Sequence, residues 1–281
     1  MPDTQASGFS LFCGPDLILP PAWKEPVSSL PLFDSLSVSS RAAALKKEEL
    51  PLGFASAAFD FGGRTYRAVE LDDDQASEIQ GAARVPVRQF IGAAPQESAS
   101  FILKARAYAH WSFVSRYCAF CGSLLVDGRG RDQERAKVCK LCGRAWFPRI
   151  SPAIITLIRR GDEILLAHNA KSPTGRHGLI AGFVEPGETL EETVHREVME
   201  EAGINISEPR YVRSQPWPFP DSLMLAFEAD YKSGEVRPDG DEIDHLGWFS
   251  PDNLPDIPPP GSVARSLIDR FIDSRRSPGN S

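Results

Sequence analysis

Three glutamates stand where a divalent cation could be held. Glu197, Glu200 and Glu201 fall at i, i+3 and i+4 in the run from Leu190 to Gly203. On a helix those positions share one face, and like charges so placed cost roughly a few tenths of a kcal/mol per pair. Glu188 with Glu192 adds to the repulsion. Solubility alone would be served better by interleaved lysines. A cluster of hard oxygen ligands on a rigid face suits Mg²⁺ or Mn²⁺ instead. Arg196 is placed to pair with a carboxylate and hold it. The plain alternative is a solvated acidic helix face; the length and spacing of the motif weigh against it.

The elements that must present these side chains can be read nearby. Thr189 followed by Glu192 is a capping-box signature, so a helix begins there. Gly203 is well placed to end it. Leu190, Val194 and Val198 form its buried stripe. Ahead of the helix, Gly182 and Gly187 allow close backbone approach and a tight turn. Pro186 stiffens that loop, and the helix N-terminus is a favourable place for phosphate.

A second constellation is Cys118-x2-Cys121-x17-Cys139-x2-Cys142. Each pair lets one tight turn present two sulfurs, and two such turns make a four-thiolate zinc site. A closed site leaves no position for substrate, so its role is structural. Disulfides or reduced core thiols are the alternative, and an intracellular setting disfavours the former. Cys13 stands apart as a bystander. Between the pairs, Arg129, Arg131, Arg135 and Lys137 alternate with Asp127, Asp132 and Glu134, which reads as a solvated hairpin tip.

The bulk numbers set limits. A chain of 281 residues suggests two domains with a small module between them. A net charge of −7 gives no overall basic surplus for nucleic acid. No apolar run approaches the ~20 residues of a membrane helix, and the first residues carry no signal-peptide pattern. The C-terminal RRSPGNS matches no retention address. The expectation is a cytoplasmic protein with no membrane partner.

Elsewhere, residues 54–71 read as two strands around Gly62-Gly63, and residues 97–113 as a helix. Residues 153–158 and 163–167 read as a hairpin. Strands follow at 177–183, 223–231 and 245–250, and a helix at 263–274. Ser214 to Ser222 holds three prolines that could brace Trp217 and Phe219 for stacking on a flat ring. A Pro-rich loop with buried aromatics is an equal reading. The histidines form no competing site: His110 and His168 read as lone, His177 and His195 as without partners, and His245 as local.

The run from Gly182 to Ile204 resembles the Nudix box at every defined position. SQPWPFP-x-S after that box, with a zinc ribbon before it, resembles the NADH pyrophosphatase family over roughly residues 98–275. The implied fold is α+β, a Nudix α/β/α sandwich around a mixed sheet. The implied domains are a degenerate Nudix-like domain (1–113), a zinc ribbon (114–149) and a catalytic Nudix domain (150–281). The implied activity is metal-dependent cleavage of NADH or NAD⁺ to a nicotinamide mononucleotide and AMP, by a homodimer. Glu197 and Glu201 would bind metal, with Glu200 a ligand or base. The Ala181 carbonyl and Glu242 would add ligands. Substrate would meet Phe183, Gln215, Pro216, Trp217, Pro218, Phe219, Pro220, Asp221, Ser222 and Ala264. Phe147 stands where the family often has tyrosine, and Arg88 matches an N-terminal arginine. Rival readings are removal of NAD caps from RNA and a Nudix-fold sensor that binds a nucleotide without cleaving it.

Overall fold

The structure is a computed structural model that describes residues 9–20, 30–32, 55–77, 79–128 and 136–276. The chain forms two compact units. One comprises the described residues through Ile150 with Pro218–Asp221, and the other is Ser151–Trp217 with residues from Ser222 onward. No described helix is long and apolar enough to cross a membrane.

In the first unit, strands β1 (Phe9–Cys13), β2 (Asp16–Leu19), β3 (Ala55–Phe61), β4 (Arg64–Leu71) and β5 (Ala83–Pro86) form a sheet in the order β3-β4-β1-β2-β5. Strand β1 runs parallel to β4, and the other neighbours are antiparallel. Gly62 and Gly63 join β3 to β4 with φ of +56° and +74°, as a two-residue hairpin turn requires. Short helices α1 (Asp73–Ser77) and α2 (Val87–Ala93) precede α3 (Gln96–Val114). Helix α3 agrees with the predicted one within a residue at each end. It buries Phe101, Ile102, Ala105 and Ala109 completely. The Phe101 ring sits 5.4 Å from Phe59 and 4.9 Å from Tyr66.

One charged pair lies inside this unit. Arg106 Nη1 donates to Glu70 Oε2 at 2.5 Å, with the two side chains 8% and 7% exposed. Glu70 also accepts from the Gly14 amide at 3.0 Å. Burial pushes the Glu70 carboxyl up and the Arg106 guanidinium down. Either charge left alone here would be costly.

The ribbon strands β6 (Leu125–Asp127), β7 (Lys137–Cys139) and β8 (Ala145–Trp146) form a small antiparallel sheet. Lys137 corrects the reading of a fully solvated tip. It is buried, and its Nζ donates to Ser112 O at 2.8 Å and Ser115 O at 3.0 Å. These carbonyls end α3, where a cation is favoured. Arg129, Arg131, Asp132, Glu134 and Arg135 lie outside the described residues.

The second unit centres on β9 (Ser151–Arg160) and β15 (Ser222–Gly234), which run parallel. Around them lie β10 (Glu163–Asn169), β11 (His177–Gly178), β12 (Ile180–Phe183), β13 (Ile204–Ile206), β14 (Arg210–Trp217) and β16 (Ile243–Phe249). The run Ala153–Ile158 is buried throughout, because both faces of the sheet are covered. Ile154 and Ile158 pack with Val194, Val198 and Ala202 of α4 (Leu190–Ala202). Ile155 and Leu157 pack with Leu267, Ile268 and Phe271 of α5 (Val263–Arg276). Helix, sheet and helix make the expected α/β/α sandwich.

One local reading needs correction. Gln215, Pro216 and Trp217 are not in a loop; they end β14, paired with Met224, Leu223 and Ser222. Among the described residues β14 pairs only with β15. An edge position tolerates Pro216, which has no amide to donate.

The buried pair can be tested by stability. Arg106→Ala should cost about 3–5 kcal/mol, since it strands Glu70 in the core. Adding Glu70→Leu should recover much of that loss in urea melts. Equal stability of the wild type and Arg106→Ala would refute the assignment.

Candidate active site and metal centre

Helix α4 has the boundaries that its caps dictate. Thr189 Oγ1 accepts from the Glu192 amide at 3.2 Å, and Glu192 Oε2 accepts from the Thr189 amide at 2.8 Å. Gly203 ends the helix in the left-handed region, at φ +69°. Val194 and Val198 face the core and are fully buried. That fixes the rotation of the helix and brings the glutamate face to the strand carrying Ala181 and Gly182.

Arg196 gathers the carboxylates. Its Nε donates to Glu188 Oε1 at 2.6 Å, and Nη2 donates to Glu188 Oε2 at 2.9 Å. Nη1 donates to Glu197 Oε1 at 2.8 Å and to Glu200 Oε2 at 3.1 Å. Nη2 also donates to the Phe183 carbonyl at 3.0 Å. Glu188 was not among the expected site residues, although it occupies a defined position of the motif. The Arg196 guanidinium, with the Glu185 amide, holds its carboxyl down at about 2.

Glu201 behaves oppositely. It is 6% exposed, and its Oε2 has no hydrogen-bond partner among the described residues. Burial, and then the nearby charges of Glu197, Glu242, Asp239 and Glu200, push its carboxyl up to about 8. Burial also raises Glu197. A buried oxygen without a partner among neighbouring carboxylates is chemistry that suits a hard cation. Mg²⁺ or Mn²⁺ fits these residues.

Gly182 is required by the same crowding. A β-carbon there would lie 1.9 Å from the Glu197 carboxyl carbon. Asp239, a second residue missed in the sequence, accepts from the amides of Asp241, Glu242 and Ile243 at 3.0, 3.1 and 2.9 Å. It thereby fixes the loop that bears Glu242. Its only sequence signal is an Asp-Gly turn dipeptide.

The expected substrate residues fall in both units. In the second unit, Phe183 is 56% exposed. Gln215 Nε2 donates to Gly261 O at 2.8 Å, and its Oε1 accepts from the Val263 amide at 2.7 Å. The strand end is thus clamped to the start of α5, beside Ala264. Trp217 and Ser222 face each other across β14 and β15. In the first unit, the Arg88 guanidinium lies 4.7 Å from the Phe219 ring centroid. Pro15, Pro86, Arg88, Arg106, Phe219 and Pro220 line an open cavity there. The Phe219–Pro220 peptide is cis, Arg149 pairs with Asp221 at 3.5 Å, and Phe147 is 57% exposed.

The histidines are less solitary than they read. His168 Nδ1 lies 2.6 Å from Asp244 Oδ1, and His177 Nε2 lies 3.0 Å from His245 Nδ1. Cross-strand pairing of β10 with β11 and β16 makes these contacts.

The four cysteines converge as the spacing predicts. Their sulfurs all lie within 4.8 Å of one another, with Cys118–Cys142 at 3.7 Å and Cys121–Cys139 at 3.4 Å. Tetrahedral zinc with bonds of ~2.3 Å sets sulfurs at about this separation. Gly122 and Gly143 close the two knuckles at φ +73° and +71°.

A NUDIX domain model matches residues 148–271. A curated NAD-capped RNA hydrolase NudC of Pseudomonas aeruginosa (strain LESB58) is 41% identical over 233 residues, covering 83% of this chain and 82% of its own. Its namesake from Yersinia enterocolitica is 44% identical, covering 81% and 87%. That of Escherichia coli O81 is 42% identical, covering 81% and 88%. The sandwich and its carboxylate helix are those of a Nudix hydrolase, a class that uses divalent metals. Within that class the chain belongs to the NADH pyrophosphatase family.

Two predictions follow from this geometry. Gly182→Ala should leave the melting temperature nearly unchanged, because the clash falls on the flexible end of Glu197. It should weaken Mn²⁺ binding at least tenfold by calorimetry; wild-type affinity would count against the crowded site. The second concerns pH. Glu201 ionises near 4.5 when unfolded and near 8 when folded, so the metal-free chain should lose stability as pH rises between those values. A bound cation should cancel that loss, read as flat melting temperatures in Mn²⁺ against falling ones in EDTA. Glu188 acts with the opposite sign: its contribution holds above about 4.5 and fades as pH falls toward about 2.

Proposed function

We propose that this hydrolase cleaves the pyrophosphate of NADH and NAD⁺ to give reduced or oxidised nicotinamide mononucleotide and AMP. The observation that carries the reading is the buried Glu201, whose Oε2 has no partner among the described residues, beside carboxylates organised by Arg196. Glu197, Glu201, Glu242 and the Ala181 carbonyl would hold Mg²⁺ or Mn²⁺. Such an ion, when bound, neutralises pyrophosphate charge and acidifies a water. Arg196 keeps Glu197 and Glu200 oriented. Glu200, exposed and accepting from Arg196 Nη1 at 3.1 Å, is a further ligand or the base that takes the proton. Phe183, Phe147, Trp217 and Phe219 offer faces to flat rings. Gln215, Pro216, Pro218, Pro220, Asp221, Ser222, Ala264 and Arg88 complete the substrate contacts.

The wider assignments belong to the same reading. Zinc in the ribbon is structural. The chain divides at 113 and 149 into a degenerate Nudix-like domain, the ribbon and the catalytic domain. It acts as a cytoplasmic homodimer.

A second substrate is favoured by the names of the relatives. An RNA that begins with NAD presents the same pyrophosphate, and its cleavage uses the same residues.

The test is product analysis with NADH, NAD⁺, ADP-ribose and NAD-capped RNA, with and without Mn²⁺. Metal-dependent release of AMP and reduced nicotinamide mononucleotide from NADH is expected. Glu201→Gln should lower turnover at least a hundredfold while its circular dichroism is unchanged. A preference for ADP-ribose would remove the substrate claim. Tight binding without turnover would make the protein a sensor.

A further inference from the structure

Glu188 and Arg196 organise the glutamate face, and a third side chain holds them. Thr193 lies in the first turns of α4 and is completely buried. Its hydroxyl lies 2.8 Å from Glu188 Oε2 and 2.9 Å from the Thr189 carbonyl, and can donate to either. A threonine inside a helix often gives that proton to the carbonyl four residues back. Here the Thr193 amide already donates to that carbonyl at 3.0 Å. A hydroxyl has one proton to give, and a carboxylate makes the stronger bond. The proton therefore goes to Glu188.

The direction of that bond decides its effect. The fork of Arg196 meets Glu188 through two bonds, Nε to Oε1 at 2.6 Å and Nη2 to Oε2 at 2.9 Å. Two parallel bonds fix a distance but leave the two planes free to hinge about the line of the oxygens. Oε2 then takes two further donors, the Glu185 amide at 2.9 Å and the Thr193 hydroxyl. Glu185 is exposed and belongs to the loop before the helix. Thr193 belongs to the helix that also carries Glu197, Glu200 and Glu201. It ties the carboxylate, and with it the guanidinium, to the same body as those glutamates. We propose that Thr193 is a positioning residue for this site. Its hydroxyl fixes Glu188, Glu188 fixes the plane of Arg196, and Arg196 sets Glu197 and Glu200. The motif leaves the position of Thr193 undefined. The proposal rests on the reading that these carboxylates take Mg²⁺ or Mn²⁺.

The experiment measures Mn²⁺ affinity by calorimetry, and kcat and KM for NADH cleavage, on the full-length protein. Thr193→Val removes the hydroxyl and keeps the shape. It should lower Mn²⁺ affinity and kcat about tenfold, the low end for a residue that orients metal ligands, with KM for NADH unchanged. Thr193→Ser keeps the hydroxyl and should restore both. The second arm is a double-mutant cycle. In a Glu188→Ala background, Thr193→Val should change neither value further, because its route runs through that carboxylate. Three results would each overturn the proposal: wild-type affinity and kcat in Thr193→Val, even with a lowered melting temperature; a loss that Thr193→Ser shares in full; or losses that add in the cycle. Should Thr193→Val not fold, Thr193→Ala is read by the same criteria. Mn²⁺ affinity that follows the expected pattern in a protein that leaves NADH intact would support the positioning role and sink the cleavage reading. A wild type that binds no Mn²⁺ would sink both.

Discussion

The geometry of the catalytic unit turns on one guanidinium. Arg196 reaches the loop through Glu188, the strand through the Phe183 carbonyl and its own helix through Glu197 and Glu200. Five donors in a rigid plane are needed to serve so many acceptors at once. Lysine, with three donors at one point, could not hold a carboxylate in two places. The pair is partly screened, with Arg196 22% exposed and Glu188 19%, so its value lies more in direction than in stability. It sets which way three carboxylates point before any ligand arrives. Such pre-organisation lets a site bind charge without reorganising as it does so.

One cation cannot balance that many acids, and the remainder explains Glu201. Arg196 donates to both oxygens of Glu188 and shares itself between Glu197 and Glu200. Glu201, beyond its reach and buried, keeps a proton up to about pH 8. A carboxylate so placed can take either a proton or a metal ion. Exchange of one for the other couples metal affinity to pH. The same crowding accounts for Gly182, where even a methyl group would fall on the Glu197 carboxyl. A glycine there answers to space rather than to an unusual backbone angle.

Much of the fold was legible in the sequence because its signals are local. Thr189 and Glu192 lie three residues apart and cap one helix; Gly203 ends it; Gly62-Gly63 makes one hairpin. The knuckle cysteines repeat a short spacing, and their sulfurs converge within 4.8 Å of one another. What escaped notice depends on distant partners. Glu70 and Arg106 are 36 residues apart, and His168 meets Asp244 across 76. Lys137 sits in a charge-rich stretch and reads as solvated, yet its ammonium closes the end of a helix 25 residues upstream. Pro216 suggested a loop because proline opposes strands in general. Only the sheet's topology puts it on an edge, where the objection lapses.

The charge of the chain is divided unevenly, and the division has physical meaning. The ribbon stretch carries a surplus of five positive charges within a total of −7, so the rest is strongly acidic. A polyanion approaching at physiological salt feels charge over a Debye length of about 8 Å. Over the acidic remainder it would be repelled, and a bound cation would be needed to reverse the sign at the acidic helix. Net charge alone argued against a nucleic-acid partner. That inference holds for a uniform distribution, and here the sign of the charge differs from one stretch of the sequence to another.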